Sequence, residues 1–378
     1  MKYFIIAGEA SGDLHGSNLV KEIKKIDPDA DILCWGGNKM QEAGARLLVH
    51  YRELAIMGFW EVLMKLGKIF RNLKKCRQQI LEYKPDLVIL IDYPGFNLRI
   101  AEKLKIYNIN IYYYISPKVW AWKKSRIKKI KRYIDRMYVI FPFEKAFYEE
   151  NDYRVHYFGN PLVETVKEGM AAAGGREALI NEHKLEAGPV ITLLAGSRIQ
   201  EVKRILPVMA GVEKYYPAYQ FVVAGISTID ESLYSDILKN SNIRLIYDST
   251  YRLLSVSDAA LVTSGTATLE TAIADIPQVV CYRAGRLSYL IARILVKIRF
   301  ISLVNLIMDR EIVRELIQAD LNERNIISEL NAILPGGPKR EIMLKNYSAL
   351  RKMLAGEDAS SRIAKDMYHS VKLADNVK

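Results

Sequence analysis

The chain has 378 residues, half of them apolar and 26% charged, a globular composition in a chain too long for one ordinary core. Its three cysteines, Cys34, Cys76 and Cys281, are far apart and form no Cys-x-x-Cys pair, which argues for a reducing compartment and against a disulfide framework or a zinc ribbon. The net charge of +12 is uneven: Met1 to Leu162 has 28 Lys and Arg against 18 Asp and Glu (+10), the remainder 27 against 25 (+2), so the first half is expected to face something anionic.

In chain order, the text opens with a strand (Lys2 to Ala7), a glycine-containing turn (Gly8 to Gly12) and a helix with Leu14, Leu19, Val20 and Ile23 on its apolar face. That is the first unit of a doubly wound α/β domain. The apolar run Tyr3–Ala7 is too short for a signal peptide, and Tyr289–Ile301 is broken by Arg293, Lys297 and Arg299, so no membrane span and a cytoplasmic location are expected. Further strands are predicted at 31–35, 87–91, 109–115 and 137–141. After a helical connector (165–186), a second series follows at 190–194, 221–224, 244–247, 259–263 and 278–281. The fold class predicted is therefore α/β, with two Rossmann-like domains facing each other across a cleft. The boundaries are 1–163 and 164–347, and residues 348–378 return as helix to the first domain.

Two loops of the second series suit a nucleotide diphosphate. In Leu193-Leu-Ala-Gly-Ser-Arg-Ile-Gln-Glu-Val202 a strand ends at Gly196-Ser197-Arg198. Ser197 can cap the next helix, free N–H groups favour an anion, and Arg198 adds a forked donor. In Thr263-Ser-Gly-Thr-Ala-Thr-Leu-Glu-Thr271, Ser264, Gly265, Thr266, Ala267 and Thr268 surround a helix start, and Glu270 could accept from ribose hydroxyls. An ordinary helix cap is the plain alternative for each loop alone. No Gly-Lys-Ser/Thr ending follows, which disfavours phosphoryl transfer.

In the first half, Glu9 and Asp13 lie at the end of the first strand, and Asp92 follows a wholly apolar one. A half-desolvated carboxylate there suits a general base, and a turn-forming Asp before Pro94-Gly95 is the structural alternative. His15 reads as a helix-face residue. Asp27-Pro-Asp29 reads as a loop after a helix, so neither a metal nor any other cofactor is expected. The stretch 57–70 carries Phe59, Trp60, Leu63, Met64 and Phe70, more apolar bulk than one buried stripe needs. Lys123 to Arg132 has seven basic residues in ten, among them Lys123, Lys124 and Lys128. Together they are the pattern of an interfacial element on an anionic membrane.

These segments resemble the lipid-A-disaccharide synthase family, inverting glycosyltransferases of the GT-B fold. The resemblance runs through Gly8-Glu-Ala-Ser-Gly-Asp13, Ile91-Asp-Tyr-Pro-Gly-Phe-Asn97, Ile115-Ser-Pro-Lys-Val-Trp-Ala-Trp122, Phe141-Pro-Phe-Glu144, Gly159-Asn-Pro161, Gly196-Ser-Arg198 with Glu201, Ser264 to Glu270 and Ser302-Leu-Val-Asn-Leu306. It implies transfer from UDP-2,3-diacylglucosamine, as a substrate, to 2,3-diacylglucosamine 1-phosphate at the inner face of a bacterial inner membrane. It implies Asp92 as base, Arg198 at the diphosphate, Glu201, Asn305 and Gln318 on the donor side, and Ser11, Gly12, Asn97 and Ser116 on the acceptor side. Asn160, Ala195, Val304, Met308, Asp309 and Arg314 depart from the family's usual residues. A UDP-sugar epimerase is the rival within the same fold. A nucleic-acid binder is the rival by charge, but no RNP-type sheet motif, recognition helix or zinc finger supports it. Whether the chain pairs as a homodimer stays open.

Overall fold

A run such as Leu87-Val-Ile-Leu-Ile91 has no polar residue on either face, so it suits a strand covered by helices on both sides. A computed structural model, which describes residues 1–54, 66–120, 125–183, 185–186, 188–285, 289, 299–354, 356 and 358–375, has it fully buried. The chain divides into two compact units, Met1–Pro161 with Ala355–Lys378, and Leu162–Leu354. The second seam falls beyond the expected 347/348 because the helix Arg340–Leu354 runs on, burying Tyr347, Leu350 and Leu354.

In the first unit, β1 (Lys2–Ala7), β2 (Asp31–Gly36), β3 (Arg46–His50), β4 (Leu87–Ile91), β5 (Asn110–Tyr114), β6 (Arg136–Val139) and β7 (His156–Tyr157) form a seven-stranded parallel sheet. Its order is β3-β2-β1-β4-β5-β6-β7. The register Ala7↔Ile91 and Ile91↔Tyr114 brings the C-terminal ends of β1, β4 and β5 side by side. The helices that matter here are α1 (Ala10–Ile26), α2 (Asn38–Glu42), α3 (Leu66–Tyr83), α4 (Pro94–Leu104), α5 (Arg126–Tyr133) and α6 (Pro142–Glu149). Leu73, Cys76 and Ile80 of α3 join Ile127 and Ile130 of α5 in one core beneath the sheet.

The second unit repeats the plan. Here β8 (Val190–Leu194), β9 (Gln220–Gly225), β10 (Arg244–Tyr247), β11 (Ala259–Thr263), β12 (Gln278–Tyr282) and β13 (Glu315–Ile317) form a six-stranded sheet in the order β10-β9-β8-β11-β12-β13. Its site is framed by α7 (Ile199–Ala210), α8 (Thr266–Ile273) and α9 (Leu303–Met308). The strands β3, β7 and β13 were not foreseen: each lies at or beside a sheet edge and lacks the long apolar run that marks the central strands.

The C-terminal helix Ala359–Asp375 packs back on α1 of the first unit. Asp366 anchors it, its Oδ2 accepting from Arg136 Nη1 and Tyr138 Oη, both at 2.7 Å. Asp366→Ala strips both donors of a charged acceptor and is expected to destabilise the first unit by about 1–3 kcal/mol, read by urea denaturation.

Candidate active site

In each sheet the order turns back at the first strand of the series, between β1 and β4 and between β8 and β11. In open parallel sheets ligands bind outside the strand C-termini at such a reversal. The sequence motifs fall there: Gly8–Asp13 and Asp92–Asn97 in the first unit, Gly196–Glu201 and Ser264–Glu270 in the second.

Asp92 is half-buried directly after β4 and has a left-handed backbone, φ 42°. Burial pushes its carboxyl up from 3.8 to about 6, Glu9 pushes the same way, and Lys118, the Tyr93 N–H and Arg126 pull it back. Glu9 is exposed and precedes the first turn of α1.

The other carboxylate of this cluster does a different job from the one expected. Asp13 is buried, and its oxygens accept from the N–H groups of Gly37 at 2.7 Å, Met40 at 3.1 Å and Lys39 at 3.2 Å. It braces the turn into α2, so three donors already hold the charge that a base would need free. Ser116, expected on the acceptor side, is also turned inward: its Oγ lies 2.7 Å from Tyr148 Oη. Asn97 is fully buried and donates to the carbonyls of Asp92 at 2.8 Å and Ile91 at 3.2 Å. Ser11 is exposed on α1, and Gly12 is buried against Ala7 and Ile91. His15 lies on α1 as expected and is buried, and desolvation drops it to about 4, so it is neutral. Asp27 of the Asp-Pro-Asp loop pairs with the N-terminal amine at 2.8 Å and sits before β2, at the opposite end of the sheet from the motifs.

In the second unit, Gly196 has φ 104°, a conformation that needs glycine, and an added Cβ would lie 2.5 Å from Glu201 Oε2. Ser197 is not the cap. Arg198 occupies that position, and Glu201, three residues on, reaches back to the N–H groups of Ser197 at 3.1 Å and Arg198 at 3.3 Å. The exposed Arg198 guanidinium meets Glu201 Oε1 at 3.0 Å, a surface pair that an incoming phosphate can exchange at little cost. After the neighbouring strand β11, Ser264 Oγ donates to Ile301 O at 2.8 Å, and Thr268 Oγ1 of α8 donates to Gly265 O at 2.8 Å. Thr266 is exposed, Ala267 half-buried, and the space beside Gly265 is open. Glu270 accepts from Tyr251 Oη at 2.7 Å.

Asn305 was expected at the donor and is instead fully committed to its own loop. Its Nδ2 donates to Val313 O at 2.8 Å and Glu315 Oε1 at 2.9 Å, and its Oδ1 accepts from Ile312 and Val313. Gln318 has a left-handed φ of 55° just after β13, and its carbonyl accepts from Arg283 at 3.2 Å. Asp309 adopts φ 49° at the end of α9, a conformation that an aspartate tolerates better than most residues.

The interfacial expectation is covered only in part. Phe59, Trp60, Leu63, Met64, Lys123 and Lys124 lie outside the described residues. Phe70 is 61% exposed on α3 and shares a surface groove with Leu73, Lys74, Arg77 and Lys103, and Lys128 is exposed on α5. Among the described residues no helix is long and apolar enough to cross a membrane.

Sequence reasoning missed Tyr93 and Tyr113, which surround Asp92, and the role of Glu144. Glu144 is fully buried, accepts from the N–H groups of Ile140 and Phe141 and from Trp120 Nε1, and is pushed up to about 7 by burial. A signal existed for it: Pro142 followed by Glu144 marks a helix start.

Two doubly wound units of one strand order, each with motif turns at its reversal, define the GT-B class of nucleotide-sugar enzymes. The solved structure of UDP-GlcNAc 2-epimerase from Neisseria meningitidis bound to UDP-GlcNAc matches with TM-score 0.69 at 12% identity, over 98% of this chain and 100% of that one. A glycosyltransferase of kitacinnamycin matches with TM-score 0.65 at 12% identity, over 97% and 98%. At that identity the likeness shows the fold, which epimerases and transferases share. The family model for lipid-A-disaccharide synthetase matches residues 3–366. The lipid-A-disaccharide synthases of Myxococcus xanthus and Syntrophus aciditrophicus are 37% and 38% identical, over 97% and 98% of this chain and 96% and 98% of theirs. The chain belongs to the lipid-A-disaccharide synthase family and is a glycosyltransferase.

A pH test of the site follows from Asp92. Its folded-state pKa of about 6 lies above the ordinary 3.8, so the stability it contributes is full below 3.8 and is lost as pH rises through 6. Asp92→Asn carries no such charge. Its melting temperature relative to the parent is expected to climb between pH 4 and pH 7 and then level off. A difference that is the same at pH 4 and pH 8 contradicts the burial of this carboxylate.

Proposed function

We propose that this enzyme transfers the sugar of UDP-2,3-diacylglucosamine to the 6-hydroxyl of 2,3-diacylglucosamine 1-phosphate. The products are the β-1,6-linked lipid A disaccharide 1-phosphate and UDP. The observation that carries the reading is Asp92, a half-buried carboxylate raised to about 6 at the strand reversal of the first unit. Near neutral pH it is ionised yet more basic than an ordinary aspartate, as a general base should be. In the proposed step Asp92 takes the proton of the acceptor hydroxyl as its oxygen attacks the anomeric carbon. The bond from that carbon to the diphosphate breaks, the configuration inverts, and UDP leaves. Glu9 is exposed beside it and tunes Asp92 by its charge.

The departing diphosphate gains one negative charge as its bond to the anomeric carbon breaks, and the second unit is the proposed place where that charge is met. Arg198 would exchange Glu201 for phosphate oxygens, and the N-terminus of α8 with Gly265, Thr266 and Thr268 would supply N–H and hydroxyl donors. Glu270, held by Tyr251, would accept from the ribose. Neutralisation is thus assigned to the protein and not to a divalent ion. Both substrates carry acyl chains, and lifting one from a bilayer costs about 0.8 kcal/mol per CH₂ exposed. Phe70 and the basic residues Lys74, Arg77, Lys103 and Lys128 are therefore proposed to rest on the anionic inner face of the inner membrane.

Asp92→Asn is expected to fold and to lose about 10²–10⁴-fold in turnover, read as UDP released with both lipid substrates present. Near-parental turnover would move the role of base to Glu9. Arg198→Ala should weaken UDP binding, and excess EDTA should leave the parent's rate unchanged; loss with EDTA that Mg²⁺ restores sinks the metal-free reading. Phe70→Ser should reduce co-sedimentation with anionic liposomes while leaving UDP affinity intact.

A further inference from the structure

Asp92 and Tyr93 are consecutive residues with left-handed backbones, φ 42° and 48°, and neither is glycine. Such a pair is rare and persists only where its surroundings permit no other arrangement. Here the surroundings grip it from two sides.

From within the domain, the Asp92 carbonyl accepts from the buried hydroxyl of Tyr113 on the adjacent strand β5 and from Asn97 Nδ2 at 2.8 Å. The Asp92 N–H donates to Tyr114 O at 3.2 Å, the last rung of the β4–β5 ladder. Both hydrogen-bonding groups of the Asp92 backbone are thereby tied to β5 or to the first turn of α4.

From the other side, the Tyr93 ring lies against the backbone of Gly8. A Cβ added at Gly8 would stand 2.3 Å from Tyr93 Cγ and 2.4 Å from Cδ1, closer than any real contact. The ring stacks on Phe96 (centroids 5.6 Å apart), and Phe96 stacks on Trp35 (5.8 Å), whose Nε1 donates to Gln79 at 2.8 Å. Tyr93 is thus the end of a stack that runs from β1 across α4 and β2 to α3. If its ring shifts, the peptide it shares with Asp92 shifts with it.

We propose that Tyr113 and Asn97, holding the Asp92 carbonyl, and Gly8, seating the Tyr93 ring, are positioning residues that aim the Asp92 carboxylate at the acceptor hydroxyl. The proposal rests on the reading of Asp92 as base. None of the three needs to touch substrate. Asn97 moves from the acceptor side, where its family motif suggested it, to a support beneath the base. Gly8 is needed for its missing side chain. The same grip explains how Asp92 stays half-buried next to Glu9 when an extended backbone could turn it out to water.

Tyr113→Phe keeps the ring and removes one hydrogen bond. Turnover is expected to fall about 5–10-fold, with the acceptor KM and UDP affinity unchanged. The acid limb of kcat/KM should move below 6 as the carboxylate gains water. A purely structural hydroxyl would lower the melting temperature and leave the acid limb in place, and that result overturns the role of Tyr113. Gly8→Ala should cost at least tenfold in the parent but little in a Tyr93→Ala background, where no ring is left to displace. An equal cost in both backgrounds overturns the role of Gly8.

A carboxyl-¹³C-aspartate titration, with the Asp92 signal assigned by its absence in Asp92→Asn, separates this proposal from the reading beneath it. A signal unmoved by Tyr113→Phe overturns the positioning, whatever the rates do. A signal that moves, in a protein whose Asp92→Asn variant is fully active, upholds the grip on Asp92 and sinks its role as base.

Discussion

The parallel sheet imposes the constraint on which everything else rests. A strand buried on both faces must be followed by a helix that covers one of them, so at the C-terminal edge the connections close off most of the strand ends. Only where the strand order reverses do neighbouring connections leave to opposite sides and open a crevice. Each unit has one such place, between β1 and β4 and between β8 and β11. The glycines, carboxylates and hydroxyl residues of the motifs occur there, where backbone N–H groups and side chains can meet a ligand.

Room at the edge has to be kept open, and many of the motif's polar residues are engaged in doing so. Asp13 collects three N–H groups of the turn into α2, Asn305 saturates both ends of its amide inside the 305–315 loop, and Glu201 satisfies the N–H groups of Ser197 and Arg198 just before α7. Turns at strand ends carry unpaired backbone groups, and leaving those buried costs more than assigning a side chain to them. A polar residue in a conserved-looking motif is thus as apt to hold the loop that presents a group as to be that group.

How much of this the sequence disclosed depended on the kind of signal. Unbroken apolar runs located β1, β4, β8 and β11, and their order of appearance alone placed Asp92 and Arg198 at strand ends. Of the edge strands β10 was foreseen at 244–247, but β3, β7 and β13 escaped notice, since the pairing that makes them strands is a property of their neighbours. Side-chain direction escaped too. Nothing in the string Ile115-Ser-Pro-Lys says that Ser116 turns inward to Tyr148, because that contact spans 32 residues. Tyr93 and Tyr113 carry no signal of their own in the sequence; their closeness to Asp92 comes from the β4–β5 register and from two left-handed residues in succession.

The two aspartates at the first unit's reversal show how one cluster separates structure from chemistry. Asp13 and Asp92 follow neighbouring strands, Asp13 buried and Asp92 half-buried. Asp13 is surrounded by donors, which occupy its lone pairs. Asp92 has cations at a distance, Lys118 and Arg126, and a like charge in Glu9, so burial prevails and the group settles near 6. More donors would make it too weak a base; fewer cations would keep it protonated at neutral pH. The left-handed turn helps hold that balance: it ties the backbone of Asp92 to β5 and α4 and leaves the carboxylate half-buried, with the Tyr93 N–H as a donor and surrounding charges that tune it.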